Sequence, residues 1–202
     1  MAREPKNFDH LLGGNAKGLT DTQLKAHFTL YQGYVKKLNE IREKLGTTDK
    51  SAPNYSFNEF SELKRREPVA YNGTVLHEMY FEALGNGSSQ PDENAKQLIT
   101  SSFGSVENWI ADAKAGLMSA HGWVVTVFDY ADGKLYNNLI RTEHDVGLFA
   151  NVHAMIAIDA WEHAYFFDYQ TKKADYVTTV LSSLNWTVIN QRFSQVSKAK
   201  AT

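Results

Sequence analysis

Two long segments with helical hydrophobic periodicity constrain the fold more than any other feature of this chain. In the first, residues 24–45, apolar and aromatic side chains recur at spacings of three and four, the pattern of an amphipathic helix. Thr20 and Gln23 form a capping-box pattern in which Gln23 can reach back, so the helix should begin there. A second stripe, residues 69–84, follows Pro68, which suits a first helical turn. A polar stretch separates the two stripes, which favours an antiparallel helical hairpin.

The second half of the chain changes from helical to strand-like patterning. Helical periodicity over residues 93–121 gives way to a β-branched and aromatic run at 122–128, which predicts a strand. An Asp-Gly pair at 132–133 predicts a hairpin turn into a second strand at 134–141. Residues 155–158 predict a third, buried strand. Together these segments indicate a small antiparallel sheet.

Turn-forming residues without apolar anchors mark residues 85–92 as a linker. We therefore predict a helical hairpin domain at 1–88 and a second domain at 89–202. The second domain should hold the three-stranded antiparallel sheet and further helices, the last of them from Ala174 onward. The predicted fold class is α+β.

The composition narrows the chemistry that such a fold can carry. The 202 residues include no cysteine, which excludes disulfides, thiolate catalysis, zinc–thiolate sites and iron–sulfur clusters. Any bound metal must therefore use nitrogen and oxygen ligands. A net charge of −2 argues against a nucleic-acid partner. No apolar run has the length of a signal peptide or of a membrane span, so we expect a cytoplasmic protein without a membrane partner.

Four side chains form a candidate metal site. His27 and His77 each lie on the apolar stripe of a predicted helix, where an unpaired imidazole costs free energy. Asp159 ends the third predicted strand, and His163 follows four residues later. Either histidine alone is better explained as a core residue bonded to a tyrosine or a backbone carbonyl. Three histidines and one carboxylate together favour a site that suits iron or manganese, with zinc left open by ligand type.

The run at residues 159–170, DAWEHAYFFDYQ, resembles almost letter for letter the signature segment of the iron/manganese superoxide dismutases. Further similarity lies at residues 32–39, 103–105, 122–123, 174–177, 185–186 and 192–193, and at Asn72 and His77. The resemblance implies that family's fold and its activity, the disproportionation of superoxide to dioxygen and hydrogen peroxide. It also implies one iron or manganese ion per subunit, cycling between the trivalent and divalent states.

The same resemblance implies roles for individual residues. The implied metal ligands are His27, His77, Asp159 and His163, with solvent in a fifth position. Tyr34 matches the tyrosine at the mouth of the substrate funnel. Trp123, Trp161 and Tyr165 match residues around the funnel and the metal. Glu162 matches a residue that bridges to the histidine ligand of a neighbouring subunit, which implies a homodimer or tetramer.

This chain departs from the family pattern where a glutamine usually hydrogen-bonds the solvent on the metal. The helical position for that glutamine holds Gly73, and the position on the sheet holds His144. We expect Gly73 to clear space for His144, and His144 to make the hydrogen bond in the place of the glutamine. The alternative is a surface histidine at a strand end.

A second departure is in the first helix, where Leu30 and Tyr31 replace the usual histidines. The interface hydrogen bond expected of Tyr165 therefore lacks its usual partner. This leaves open a catalytically weak metal-binding protein of the same fold, or a related metalloenzyme that uses another oxidant.

The spacing of His27 and Tyr34 predicts the shape of the first helix. These residues are seven positions apart, which at about 100° per residue returns both to within roughly 20° of one face. The family usually has one residue more, which requires a bulge to aim both side chains at one site. We therefore predict an uninterrupted α-helix from His27 to Tyr34, with both side chains facing the metal.

Overall fold

The structure, a computed structural model, describes residues 2–199, without the side chains of residues 142 and 197–199. The helices are α1 (Asp21–Thr47), α2 (Glu59–Ala83), α3 (Glu93–Phe103), α4 (Val106–Ser119), α5 (Phe166–Tyr169), α6 (Lys173–Ser182) and α7 (Trp186–Ala199). The strands are β1 (Trp123–Asp129), β2 (Leu135–Ile140) and β3 (Val152–Asp159), and short 3-10 turns lie at Asp9–Leu11, Thr142–His144 and Glu162–Ala164. This order confirms the α+β class, with long helices first and a three-stranded antiparallel sheet afterwards.

The two long helices pack against each other as the predicted hairpin. Thr20 caps α1 by accepting a hydrogen bond from the backbone N–H of Gln23 (3.3 Å). The expected start of α2 at Pro68 is wrong. Asn58 caps this helix by accepting from the N–H of Ser61 (3.2 Å), so Pro68 lies inside it. The first turns of α2 carry charged side chains rather than an apolar stripe, and the periodicity therefore gave no sign of them.

The sheet has the strand order β2-β1-β3, with both pairings antiparallel. Trp123, the first residue of β1, pairs with Asp159, the last residue of β3. The third strand is longer than the sequence predicted, because it begins at Val152. Helix α2 packs against β3, so the end of this strand lies beside the helical hairpin.

One cluster of buried side chains runs from Phe8 to Val196 and includes residues of both halves. The two halves therefore share a core around the line where hairpin and sheet meet. The division into domains at residues 1–88 and 89–202 stays a prediction. Within the described residues, no helix combines the length and the apolar character that crossing a membrane requires.

Candidate metal centre

Four side chains converge where the hairpin meets the end of β3. Each contributes one potential ligand atom, and these atoms all lie within 4.8 Å of one another: His27, His77, Asp159 and His163. Oδ2 of Asp159 is 3.1 Å from Nε2 of His163, 3.2 Å from Nε2 of His27 and 3.7 Å from Nε2 of His77. Two ligands that bind one ion at about 2.1 Å, with angles of 90–120°, lie about 3.0–3.6 Å apart. Two of the three distances lie in this range and the third, 3.7 Å, lies just above it, so the spacing is close to that around one shared metal ion.

Each of the four comes from a different element. His27 lies on α1 and His77 on α2, with their rings edge to face at 4.9 Å. Asp159 is the last residue of β3, and His163 lies in the 3-10 turn that follows. The sequence predicted all four positions from the helical stripes and the strand end.

Two buried nitrogen atoms distinguish a metal site from ordinary core histidines. The side chains of His27 and His77 are almost completely buried, and Nε2 of each has no hydrogen-bond partner. The carbonyl of Gly73 accepts a hydrogen bond from Nδ1 of His77, which fixes the proton on Nδ1 and leaves a lone pair on Nε2. The bond to a backbone carbonyl therefore accounts for Nδ1 of His77 and leaves its Nε2 without a partner. An unpaired buried nitrogen is costly, and a bound ion removes that cost.

The Asp159 carboxylate is oriented by groups around it. The backbone N–H of Trp161 donates to Oδ1 (2.9 Å), which leaves Oδ2 toward the three imidazoles. The hydroxyl of Tyr176 donates to the main-chain carbonyl of Asp159 (2.7 Å) and lies 3.0 Å from the hydroxyl of Tyr80. The sequence analysis did not assign Tyr176 a role, although it lies within the similar segment at residues 174–177.

The protonation states suit metal binding. Burial lowers the pKa of His27 and lowers that of His77 further. Burial alone would raise the pKa of the Asp159 carboxyl, but His163 and then His27 outweigh it, and this pKa lies below its usual value. At neutral pH the site therefore presents the Asp159 carboxylate and unprotonated imidazoles at His27 and His77, as ligation requires.

A chain of hydrogen bonds lies next to the four ligands. The indole N–H of Trp123 donates to Nδ1 of His144 (2.7 Å), and Nε2 of His144 lies 2.8 Å from the hydroxyl of Tyr34. Because Nδ1 accepts, the neutral ring carries its proton on Nε2 and donates it to Tyr34. Burial also lowers the pKa of His144, which favours this neutral form.

The main chain around His144 is held in an unusual conformation. Glu143 and His144 have φ values of 64° and 66°, in the left-handed region that side chains rarely adopt. Asn72 donates to the carbonyl of His144 (2.8 Å), and Arg66 pairs with Glu143 (2.6 Å). With an exposure of 3%, His144 is not a surface histidine. Both contacts come from α2, which therefore carries a metal-ligand candidate and also anchors this turn.

The expectation that Gly73 makes room for His144 is wrong. A Cβ atom at this position would lie 2.5 Å from Cδ1 of Tyr34 and 2.8 Å from both Cε1 and Cγ. The aromatic ring of Tyr34 therefore occupies this space. The same ring stacks on His77 with centroids 5.4 Å apart. Helix α1 is an uninterrupted α-helix over this stretch, which confirms the predicted register.

Tyr31 does not take the place of a funnel residue. It is 1% exposed, and its hydroxyl donates to Oε1 of Glu78 (2.9 Å) and accepts from the N–H of Lys6 (2.9 Å). Arg3 pairs with the same carboxylate at 2.7 Å. The N-terminal segment thus binds the hairpin through buried charge. The sequence analysis missed this network because residues 1–19 show no periodicity.

Gln23 has a different role from the expected one. Its side chain does not complete the capping box, since the N–H of Thr20 donates instead to Asp168 (2.7 Å). The Gln23 amide donates to the carbonyl of His163 (2.5 Å) and accepts from the N–H of Phe167 (3.1 Å). A local capping pattern gives no information about such distant partners.

One edge of the site faces solvent. The side chain of His163 is 32% exposed, and Trp161 stacks on it with centroids 6.2 Å apart. Glu162 beside it is exposed, whereas Tyr165 is buried and stacks on Tyr176 at 5.0 Å. Of the residues assigned to the funnel and to a subunit bridge, Trp161 and Glu162 thus lie at this edge, whereas Tyr165 and Trp123 are buried.

The chain is similar in sequence to known superoxide dismutases. Residues 91–192 match the C-terminal domain of the iron/manganese superoxide dismutases. The superoxide dismutase (Fe) of Aquifex pyrophilus is 37% identical over 97% of this chain and 93% of its own length. That of Aquifex aeolicus is 36% identical over the same shares. The superoxide dismutase (Mn) 1 of Halobacterium salinarum is 29% identical over 85% of this chain and 84% of its own.

Proposed function

The chain belongs to the iron/manganese superoxide dismutase family, and we propose that its activity depends on one iron or manganese ion per subunit. The proposed ligands are His27, His77, Asp159 and His163. The observation that carries this assignment is the pair of buried Nε2 atoms without partners, which face a carboxylate oxygen at 3.2 and 3.7 Å. When bound, such an ion would supply the one-electron chemistry that the oxidation of one superoxide and the reduction of the next require.

The four proposed ligands leave a net positive charge at an occupied site, and this charge attracts an anion. Asp159 is the only anionic group among the four, so the protein neutralises just one charge of a divalent or trivalent ion. A buried centre of net positive charge attracts superoxide. Burial of the three most enclosed ligands also strengthens this attraction, because the surroundings screen it less than water does.

We propose that Tyr34 and His144 act together beside the ion. The single N–H of His144 is donated to Tyr34. It is therefore not free to bond the solvent on the metal, which is the role that the resemblance had suggested for His144. Tyr34 accepts that bond and keeps its own hydroxyl proton, which it can donate toward the ligand cluster. Trp123 supports the pair by holding the His144 ring in one tautomer. One of the two protons needed to make hydrogen peroxide from superoxide would therefore pass through Tyr34.

We also propose that the functional unit is a homodimer or a tetramer. The exposed carboxylate of Glu162 and the partly exposed His163 lie on one edge, where Glu162 could reach the same histidine of a second copy. Phe166 and Phe167 are 48% and 64% exposed beside them, which suits burial between subunits. The choice between dimer and tetramer, the cytoplasmic location, and the lack of nucleic-acid and membrane partners stay predictions.

The test is superoxide turnover by protein loaded separately with iron and with manganese, compared with apoprotein. We expect turnover in at least one metal form and none in the apoprotein. Asp159→Asn provides a matched control, because it keeps the shape of the ligand and removes its charge. Metal-loaded protein that binds one ion per subunit and leaves superoxide unchanged would instead support the catalytically weak alternative.

A further inference from the structure

We propose that Gln23 is a positioning residue of the metal centre, which binds the main chain at His163 and again at Phe167, four residues later, and thereby directs the His163 ligand. The inference rests on the proposed function, because it takes His163 as a ligand. Gln23 acts on the backbone that carries the ligand rather than on the imidazole itself.

His163 needs such support more than the other ligands do. Its side chain is 32% exposed, whereas those of Asp159 and His77 are 0% exposed. It lies in the three-residue turn Glu162–Ala164, which has no side-chain cap at its start. Short 3-10 turns have poorer hydrogen-bond geometry than α-helices. Local structure alone therefore fixes His163 less firmly than α2 and β3 fix their ligands.

The Gln23 amide binds two backbone groups, one on His163 itself and one on Phe167, four residues later. Its N–H donates to the carbonyl of His163 at 2.5 Å, and its oxygen accepts from the N–H of Phe167 at 3.1 Å. Phe167 lies in the first turn of α5, which also lacks a side-chain cap. Gln23 is 0% exposed and both hydrogen bonds are partly buried, so the loss of its amide would leave two backbone groups without a partner where solvent access is limited, which is costly. Only an amide offers a donor and an acceptor together at this reach.

The contact also links two ligands. Gln23 and His27 are four residues apart on α1 and therefore lie on the same face. Helix α1 thus carries one ligand directly and, one turn earlier, holds the turn that carries another. Displacing the Gln23 side chain would change the position of His163 relative to His27, which is the quantity that decides metal affinity.

A second link between the same elements provides a control. Asp168 on α5 accepts from both the backbone N–H and the hydroxyl of Thr20, each at 2.7 Å. These bonds join α5 to the start of α1 at exposed positions, and they do not involve the backbone of His163. Removing them tests whether loosening this junction is sufficient to weaken the metal site.

The experiment compares Gln23→Met, Gln23→Glu and Asp168→Ala with the wild-type protein. For each, the Mn²⁺ dissociation constant is measured by competition with a chelator, and the thermal midpoint of the apoprotein is measured separately. Both Gln23 variants should raise the dissociation constant by about 10–100-fold, the usual effect of removing a group that orients a ligand. Asp168→Ala should lower the thermal midpoint and leave the dissociation constant within about threefold of wild type. The visible absorption band of the trivalent manganese form should shift in the Gln23 variants alone.

Unchanged Mn²⁺ affinity in the Gln23 variants, or an equal loss in Asp168→Ala, would overturn the inference. If Gln23→Met does not fold, the Mn²⁺ affinity of Gln23→Glu decides whether the inference holds. Glutamate keeps the shape of the side chain and the oxygen that accepts from Phe167, and it lacks only the N–H that donates to His163. Wild-type protein that binds neither manganese nor iron would overturn the proposed function, and this inference with it.

Discussion

Replacing Gly73 by alanine should displace the Tyr34 ring without removing the metal. The new Cβ would lie 2.5 Å from Cδ1 of Tyr34, whereas carbon atoms in contact are about 3.5–4.0 Å apart. The ring must therefore move by about 1 Å. It cannot do so freely, because it stacks on His77 and its hydroxyl is bonded to His144 at 2.8 Å.

The sign of the stability change follows from opposing terms. Alanine in a helix interior is about 1 kcal/mol more favourable than glycine. Overpacking costs about 1–3 kcal/mol, and weakening the bond to His144 costs about 1 kcal/mol more. We expect the free energy of unfolding to fall by about 1–3 kcal/mol. Turnover should fall at least about tenfold, because a displacement of 1 Å at a reacting group costs up to about 100-fold.

Gly33→Ala is the matched control, since Gly33 lies in α1 and nothing is within 4 Å of a Cβ built there. That variant should gain about 1 kcal/mol in the free energy of unfolding and keep its turnover. Urea unfolding, metal analysis and superoxide turnover are measured for both variants. A Gly73→Ala protein that is stabilised like Gly33→Ala, with normal turnover, would refute the reasoning.

Four further predictions follow from the site. His77→Ala and Asp159→Ala should each lose the ion with little change in helix content by circular dichroism; a full complement of iron or manganese in either would show the ligand set to be wrong. Because burial lowers the pKa of His27 and His77, the unfolded apoprotein binds protons below about pH 6.5 that the folded one does not. The free energy of unfolding of the apoprotein should therefore fall between pH 7 and pH 5, by up to about 1.4 kcal/mol per pH unit for each histidine, and a flat profile in urea unfolding would contradict this. His144→Ala should keep the ion but lower turnover and shift the reduction potential; if both stay at wild-type values, the residue is a bystander. Glu162→Ala should dissociate the assembly in sedimentation measurements, and an unchanged mass would argue against the bridge.

The four side chains that the structure brings together could be named as candidate ligands from the sequence, because periodicity fixes which face of a helix a residue occupies. His27 and His77 lie on apolar stripes, so burial was expected for both, and a buried histidine needs a partner. Asp159 stands where a buried strand ends, which fixes its position relative to the sheet. The uninterrupted helix from His27 to Tyr34 followed from their spacing together with the family resemblance, which implies that both side chains face the metal.

Contacts between distant residues could not be derived in this way. Gly73 indicated an opening in α2, but the sequence does not show which side chain fills it, and Tyr34 rather than His144 does so. Gln23 satisfied a local capping pattern, yet its amide found partners on the turn around His163. Both outcomes depend on how α1 packs against other elements, and packing is decided by the whole core.

The start of α2 was misplaced for a related reason. Its first turns carry i, i+3 ion pairs, such as that of Lys64 with Glu67 at 2.9 Å, instead of an apolar stripe. Proline is common in the first turn of a helix, and the start of α2 was therefore predicted at Pro68. The actual start depends on Asn58, a capping residue whose neighbours give no periodic signal.

The central claim is that His27, His77, Asp159 and His163 share one iron or manganese ion, and anomalous X-ray diffraction tests it most directly. Crystals of protein with its native metal would be measured on both sides of the iron and manganese absorption edges. We predict one anomalous peak per subunit, about 2.0–2.3 Å from Nε2 of each histidine and from Oδ2 of the aspartate. A peak elsewhere in the molecule, or metal-replete protein without a peak between these four side chains, would contradict the account.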